Sequence, residues 1–105
     1  MTSNPAIARI WRGSTLPADA DEYAEYLYQN GVCKLQAMGA QSVRMLRENR
    51  QGETEFMVVS FWDTTEMMTA WAGSDPRKIR HLERDAEFLI ELPHCVQILD
   101  VVAPS

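Results

Sequence analysis

The chain has 105 residues, 46% of them apolar and 24% charged, with a net charge of −5; this is the composition of one globular domain, not of a disordered or fibrous chain. A sequence pI of about 4.9 removes the basic footprint that nucleic acid or an anionic membrane surface requires of a partner. Two cysteines, Cys33 and Cys95, are too few for a disulfide framework and lack metal-ligand spacing, so they are expected to be buried free thiols.

The N-terminus shows no basic region followed by an apolar run, and no apolar stretch reaches membrane-spanning length. A cytoplasmic, reduced protein is the expectation. Residues 6–12 read as a strand, with Ile7, Arg9 and Trp11 on one side and Ala8, Ile10 and Arg12 on the other. Gly13-Ser14 is expected to end it. A helix then opens near Pro17, with Asp19, Asp21 and Glu22 at the positive end of its dipole and Tyr23, Ala24 and Leu27 along its apolar stripe. Asn30-Gly31 should interrupt or kink that helix, and residues 32–38 add a further turn.

Gly39 leads into a second strand over residues 41–47. The turn at residues 49–52 joins it to a third strand over residues 55–62. Asp63 and Glu66 form a capping-box-like start for a helix over residues 64–72, and Gly73 stands just beyond its end. Asp75 and Pro76 open another helix that reaches Asp85. Phe88-Leu89-Ile90 is an apolar connector, and after Pro93 comes a last strand over residues 95–102.

The order strand, helix, strand, strand, helix, strand predicts a single domain over residues 1–105 with an α+β, ferredoxin-like βαββαβ fold, an antiparallel sheet with helices on one face. On the third strand Phe56, Val58 and Trp62 alternate with Met57, Val59 and Phe61. Apolar residues on both faces predict that both are covered. One layer of helices covers only one of them, and a second copy of the same sheet covers the other, giving a homodimer.

The segments Phe56-Met57-Val58-Val59-Ser60-Phe61-Trp62-Asp63 and Ala70-Trp71-Ala72-Gly73-Ser74-Asp75-Pro76, with Phe88-Leu89-Ile90 ahead of a proline and a final strand, resemble the antibiotic-biosynthesis-monooxygenase superfamily, the dimeric α+β barrels. The resemblance covers nearly the whole chain and implies a ligand cavity between sheet and helices in each subunit. One enzymatic branch oxidises planar aromatic substrates of polyketide or quinol type with O2 and no metal or flavin. It needs a shaped cavity, a base and polar groups for the developing oxyanion.

The other branch degrades haem, with an axial His, a Trp against the macrocycle and a first-strand Asn. Trp71 and His81 resemble that Trp and His, at the same separation. The Asn is missing, and the nearest positions hold Trp11 or Arg12.

The first expectation is therefore a cofactor-independent monooxygenase acting on a small hydrophobic aromatic ligand. His81 would be base or hydrogen-bond partner, Trp71 would shape the ligand site, and Trp11, Arg9, Tyr23 and Trp62 would contact the substrate. Haem binding with His81 on iron is the alternative, and a non-catalytic dimeric binding module is the third. Which face of the first strand meets the helices is left open by the sequence. Trp71 is read equally well as a core aromatic beside Met67 and Met68. His94 is expected to be structural or to face solvent. Arg77, Lys78, Arg80 and Arg84 are expected to form a solvated face paired with Glu83, Asp85 and Glu87. No phosphate loop, nucleophile elbow or paired-His zinc motif is present in the sequence.

Overall fold

Four antiparallel strands form one sheet in the order β2-β3-β1-β4. They are β1 (Ile7–Thr15), β2 (Ser42–Arg50), β3 (Glu53–Trp62) and β4 (Gln97–Asp100). The computed structural model describes residues 5–72 and 81–103, without the side chains of Trp71 and Ala72. The expected helix start at Asp75-Pro76 and the basic residues Arg77, Lys78 and Arg80 lie outside the described residues.

Strand β1 runs three residues past the expected stop. Register with β3 continues through Gly13↔Phe56 and Ser14↔Glu55 to Thr15↔Thr54, and both threonines are buried. A partner strand long enough to keep pairing overrides the weak strand preference of Gly13 and Ser14. The β2–β3 hairpin also closes more tightly than expected. Arg50 pairs with Glu53, leaving a two-residue turn in which Gly52 takes φ +90°, a conformation that glycine adopts without steric cost.

The helical layer begins with a single tight turn at Pro17–Asp19. Helix α1 (Ala20–Leu27) buries Ala20, Tyr23 and Leu27, one stripe at helical spacing. Asn30-Gly31 does not break the helix. It falls in one widened π turn, Tyr28–Val32, and the chain continues directly into α2 (Cys33–Ala37). The Asn30 side-chain amide donates to the Tyr26 carbonyl at 3.0 Å, the bonding that a short amide offers against the regular helix ladder. Gly39 closes α2 with φ +109°. Its N–H donates to the Gln36 carbonyl and that of Ala40 to the Leu35 carbonyl, the Schellman arrangement that glycine favours.

Helix α3 (Thr65–Ala72) is capped by Thr64, whose Oγ1 accepts the Met67 N–H at 3.2 Å. Asp63 was the expected cap; its carboxylate instead accepts from Gln41 Nε2. Residues 81–84 are not helical, so the expected helix does not reach Asp85 as drawn; a short α4 (Asp85–Phe88) begins there instead. The cause is local. The Asp85 N–H donates to the Leu82 carbonyl while its Oδ2 accepts the Leu82 N–H at 2.9 Å, and this closed turn competes with helix continuation.

The two sheet faces differ sharply. Every second residue of β3 is buried, and these include Thr54, Phe56, Val58, Ser60 and Trp62. With Ile7, Trp11, Tyr23, Leu27, Leu35, Met68, Phe88 and Val96 the apolar members form the core. The register aligns Ile7, Arg9, Trp11, Gly13 and Thr15 with that side, so this is the face of β1 that meets the helices. The other face carries Ile10, Met57, Val59 and Phe61, with Leu46 and Leu99 about half exposed at 50% and 45%. Among the described residues no helix is long and apolar enough to cross a membrane.

Candidate functional site

The helix-facing side of the sheet divides into two ends of different chemistry. At the Gly13 end the space is filled by aromatic rings. Tyr23 meets Phe56 edge-on at a centroid distance of 5.4 Å and 71°, and meets Phe88 at 5.3 Å. Trp11 lies back over Gly13: a Cβ at residue 13 would come within 2.7 Å of Trp11 Cη2 and 3.2 Å of Leu89 Cδ2. The glycine therefore lets the indole lie flat along its own strand.

The other end carries polar groups under the helical layer. Arg9 stands in register between Ser60 on β3 and Ile98 on β4, and is only 5% exposed. Burial lowers its guanidinium pKa from the usual arginine value. Trp62 Nε1 donates to Ser60 Oγ at 2.9 Å, and Ser60 Oγ donates to the Arg9 carbonyl at 3.5 Å. Two buried polar side chains, Arg9 and Ser60, thus lie on one face with the indoles of Trp11 and Trp62. All four are enclosed, Trp62 with no exposed surface and Ser60 at 1%.

The sequence-expected residues separate accordingly. Arg9, Trp11 and Trp62 share the helix-facing side. Tyr23, expected to contact the substrate, lies in the core with no exposed surface, and its hydroxyl donates to Asp85 Oδ1 at 2.9 Å. Burial first, then the charge and hydrogen bond of Asp85, push the Tyr23 phenol well above its ordinary pKa. His81 is exposed, and the residue after it, Leu82, is held by Asp85. Trp71 lies in the last turn of α3, with its side chain outside the described residues.

Two residues that the sequence reading passed over matter here. Ser60 shares the buried parity of Phe56, Val58 and Trp62, and a polar residue in that series was the available signal. Asp85 gave no signal, since a carboxylate among Glu83, Arg84 and Glu87 reads as surface. In fact it is 2% exposed and ties α1 to the segment that follows His81.

Other expectations fare differently. Arg84 is solvated and pairs with Glu87 and, at 3.6 Å, with Glu22, and it also lies over the Phe88 ring. His94 is exposed, 4.0 Å from Glu91. Cys33 and Cys95 are both exposed, which corrects the expectation of buried thiols. Val32 and Leu35 take the inward positions around Cys33, and Val96 takes the inward position beside Cys95, so periodicity turns both thiols outward.

Among the described residues no three His, Cys, Asp or Glu side chains converge to hold a metal ion. A groove of about 330 Å³ lies on the opposite face of the sheet, bordered by Arg12, Ser14, Glu53, Glu55 and residues 90–94. It is separate from Arg9 and Ser60.

The family profile described as antibiotic biosynthesis monooxygenase matches residues 7–79. No curated protein matches the chain. Among solved structures, a Bacillus cereus protein described as an antibiotic biosynthesis monooxygenase superposes with a TM-score of 0.66 at 15% identity, covering 97% of this chain and 98% of that one. MhuD of Mycobacterium tuberculosis, described as a haem degrader and solved with two haems in its active site, superposes with a TM-score of 0.58 at 18% identity, covering 94% of this chain and 98% of its own. At these identities the two likenesses establish the α+β ferredoxin-like fold.

Proposed function

Because the chain belongs to the antibiotic biosynthesis monooxygenase family, we propose that it oxidises a planar aromatic substrate of polyketide or quinol type with molecular oxygen and without a prosthetic group. The observation that carries the reading is the placement of buried Arg9 and Ser60 on one face with Trp11 and Trp62. In this chemistry the substrate supplies the electrons. A base removes a proton, the carbanion or phenolate reduces O2, one oxygen atom stays on carbon and the other leaves as water. A methylene thereby becomes a carbonyl.

His81, which is exposed, is the base in this reading, a role that an imidazole can take. Trp71 shapes the chamber with Trp11 and Trp62. Tyr23 acts at one remove, through Asp85.

The same reading makes the protein a homodimer. The face bearing Ile10, Met57, Val59, Phe61, Leu46 and Leu99 carries an apolar band beside Arg12, Arg44 and Gln97; a twin sheet is its natural cover. It also keeps the chain in a reducing cytoplasm, where exposed Cys33 and Cys95 remain thiols.

Haem degradation with His81 on iron is the competing reading, favoured by the Trp71 and His81 pattern. The residues of the first strand do not fit it. Arg12 points to the open face, and Trp11 lies over Gly13 on the helix-facing side, so neither first-strand position supplies an amide. A haem titration of the purified protein, followed by oxygen uptake with anthrone, separates the readings. The proposal expects no sharp Soret band and oxygen uptake that falls in His81→Ala by about a hundredfold. A Soret band lost in His81→Ala, with decay on adding a reductant, would replace it with the haem reading. Neither signal would leave a non-catalytic binding module.

A further inference from the structure

The peptide unit that joins His81 to Leu82 is held by the Asp85 side chain. Asp85 Oδ2 accepts the Leu82 N–H at 2.9 Å, and the Asp85 N–H donates back to the Leu82 carbonyl at 3.1 Å. A peptide unit is planar and includes the Cα of the residue before it. A bond at the Leu82 N–H therefore orients the plane on which the His81 Cα lies.

Asp85 is itself a fixed point. It is 2% exposed, and its Oδ1 accepts the Tyr23 hydroxyl from α1 at 2.9 Å. A carboxylate is an acceptor at both oxygens, and here each oxygen serves a different element. The residues around it are tied down separately. The Arg84 N–H donates to Tyr26 Oη at 2.8 Å, one turn further along α1 than Tyr23 and on the same side of it. Leu82 Cδ1 lies 3.8 Å from where a Cβ would stand on Gly31, in the π turn. Beyond α4, Leu89 bridges to Thr15 of β1, and the Ile90 N–H donates to the Ser14 carbonyl. Asp85 thus relates the His81 backbone to the helical layer and to the sheet at once.

We infer that Asp85 is a positioning residue for proton abstraction, which sets the His81 imidazole by clamping the 81–82 peptide against α1. The inference rests on His81 being the base, as read above, and adds the group that acts through it. Its effect has a ceiling. Deleting the base costs about a hundredfold, so misplacing it costs no more, and a displacement of about 1 Å reaches that scale.

The experiment measures anthrone oxidation in wild type, Asp85→Ala, Asp85→Asn, His81→Ala and the double variant. Asp85→Ala should lower kcat about tenfold and leave KM within about twofold of wild type. Asp85→Asn should recover most of that loss, since its amide oxygen can accept the Leu82 N–H while Nδ2 donates to Tyr23 Oη. Added to His81→Ala, Asp85→Ala should cost no further activity, whereas a merely structural role would lower both backgrounds alike. A second measurement is independent of turnover. The chain has two histidines, so a ring ¹H–¹³C spectrum carries a reporter and an internal standard. The His81 signals should move in Asp85→Ala and in Tyr23→Phe, the latter covering an unfolded Asp85→Ala. Those of His94, exposed beside Glu91, should stay still.

An equal loss from Asp85→Ala in both His81 backgrounds, an Asp85→Asn as impaired as Asp85→Ala, or His81 signals unmoved in Tyr23→Phe would overturn the inference and leave the planar-ligand reading standing. Wild-type activity in His81→Ala would overturn the base assignment and the inference with it, whatever the ring signals do.

Discussion

Tyr23→Phe should destabilise the protein by about 1.5–3 kcal/mol, and the structure says why the figure is neither smaller nor larger. The substitution removes only the hydroxyl. The ring keeps its contacts with Phe56 and Phe88, so no cavity opens. What disappears is a 2.9 Å hydrogen bond to Asp85 Oδ1, at a carboxylate that is 2% exposed and cannot turn to water instead. Asp85 keeps the Leu82 N–H, so the loss is one charge-assisted bond in a buried setting.

The assay is urea denaturation at one fixed protein concentration, with the midpoint lowered and the slope unchanged. Alkaline titration gives an independent check of sign. Tyr23 has its pKa raised in the folded state above the ordinary tyrosine value of 10.0. Its contribution is therefore fully present below about pH 10 and is lost as pH rises towards the folded value. Wild-type stability should fall above about pH 10, and that part of the fall should be missing in Tyr23→Phe. A change below about 0.5 kcal/mol, or an identical alkaline fall in both proteins, would refute the Tyr23–Asp85 tie.

Gly13→Ala should cost about 1–3 kcal/mol, because the new methyl meets Trp11 Cη2 at 2.7 Å; calorimetry and a shift in tryptophan emission would register it, and an unshifted emission would contradict the packing. Ser60→Ala strands the Trp62 Nε1 donor in the core, which should cost about 1–3 kcal/mol in chemical denaturation; a neutral change would show that the bond contributes little. His81 is exposed, so His81→Ala should leave the unfolding midpoint within about 0.5 kcal/mol of wild type while lowering anthrone oxidation about a hundredfold; a large stability loss would mark the imidazole as structural. Leu46→Glu combined with Leu99→Glu, at two half-exposed open-face positions, should convert a dimer to a folded monomer in sedimentation analysis. A wild-type monomer at micromolar concentration would contradict the sheet-to-sheet pairing.

The element order and the two-faced character of β3 were legible in the sequence because strand parity is a strict period of two, and Phe56, Val58 and Trp62 keep it without a break. The sidedness of β1 was not legible. Ile7, Arg9 and Trp11 are as mixed as Ala8, Ile10 and Arg12, and only pairing with β3 decides which set goes inward. The end of β1 was misplaced for the same reason, since Gly13 and Ser14 look like a stop until Phe56 and Glu55 are set opposite them. Asp85 illustrates a different gap. Its partner Tyr23 is 62 residues away, and no local pattern marks a carboxylate that will be enclosed by a distant helix. The thiols were misread because a statistical tendency of cysteine to be buried was allowed to outweigh the position of each on its own element.

The most direct test of the central claim is oxidation of anthrone under ¹⁸O₂ by protein treated with a chelator and shown to be free of metal, flavin and haem, with the product read by mass spectrometry. The account predicts turnover unaffected by the chelator and one labelled oxygen atom in the product carbonyl. Unlabelled product, turnover that requires added metal or haem, or no turnover with a planar aromatic substrate would contradict it.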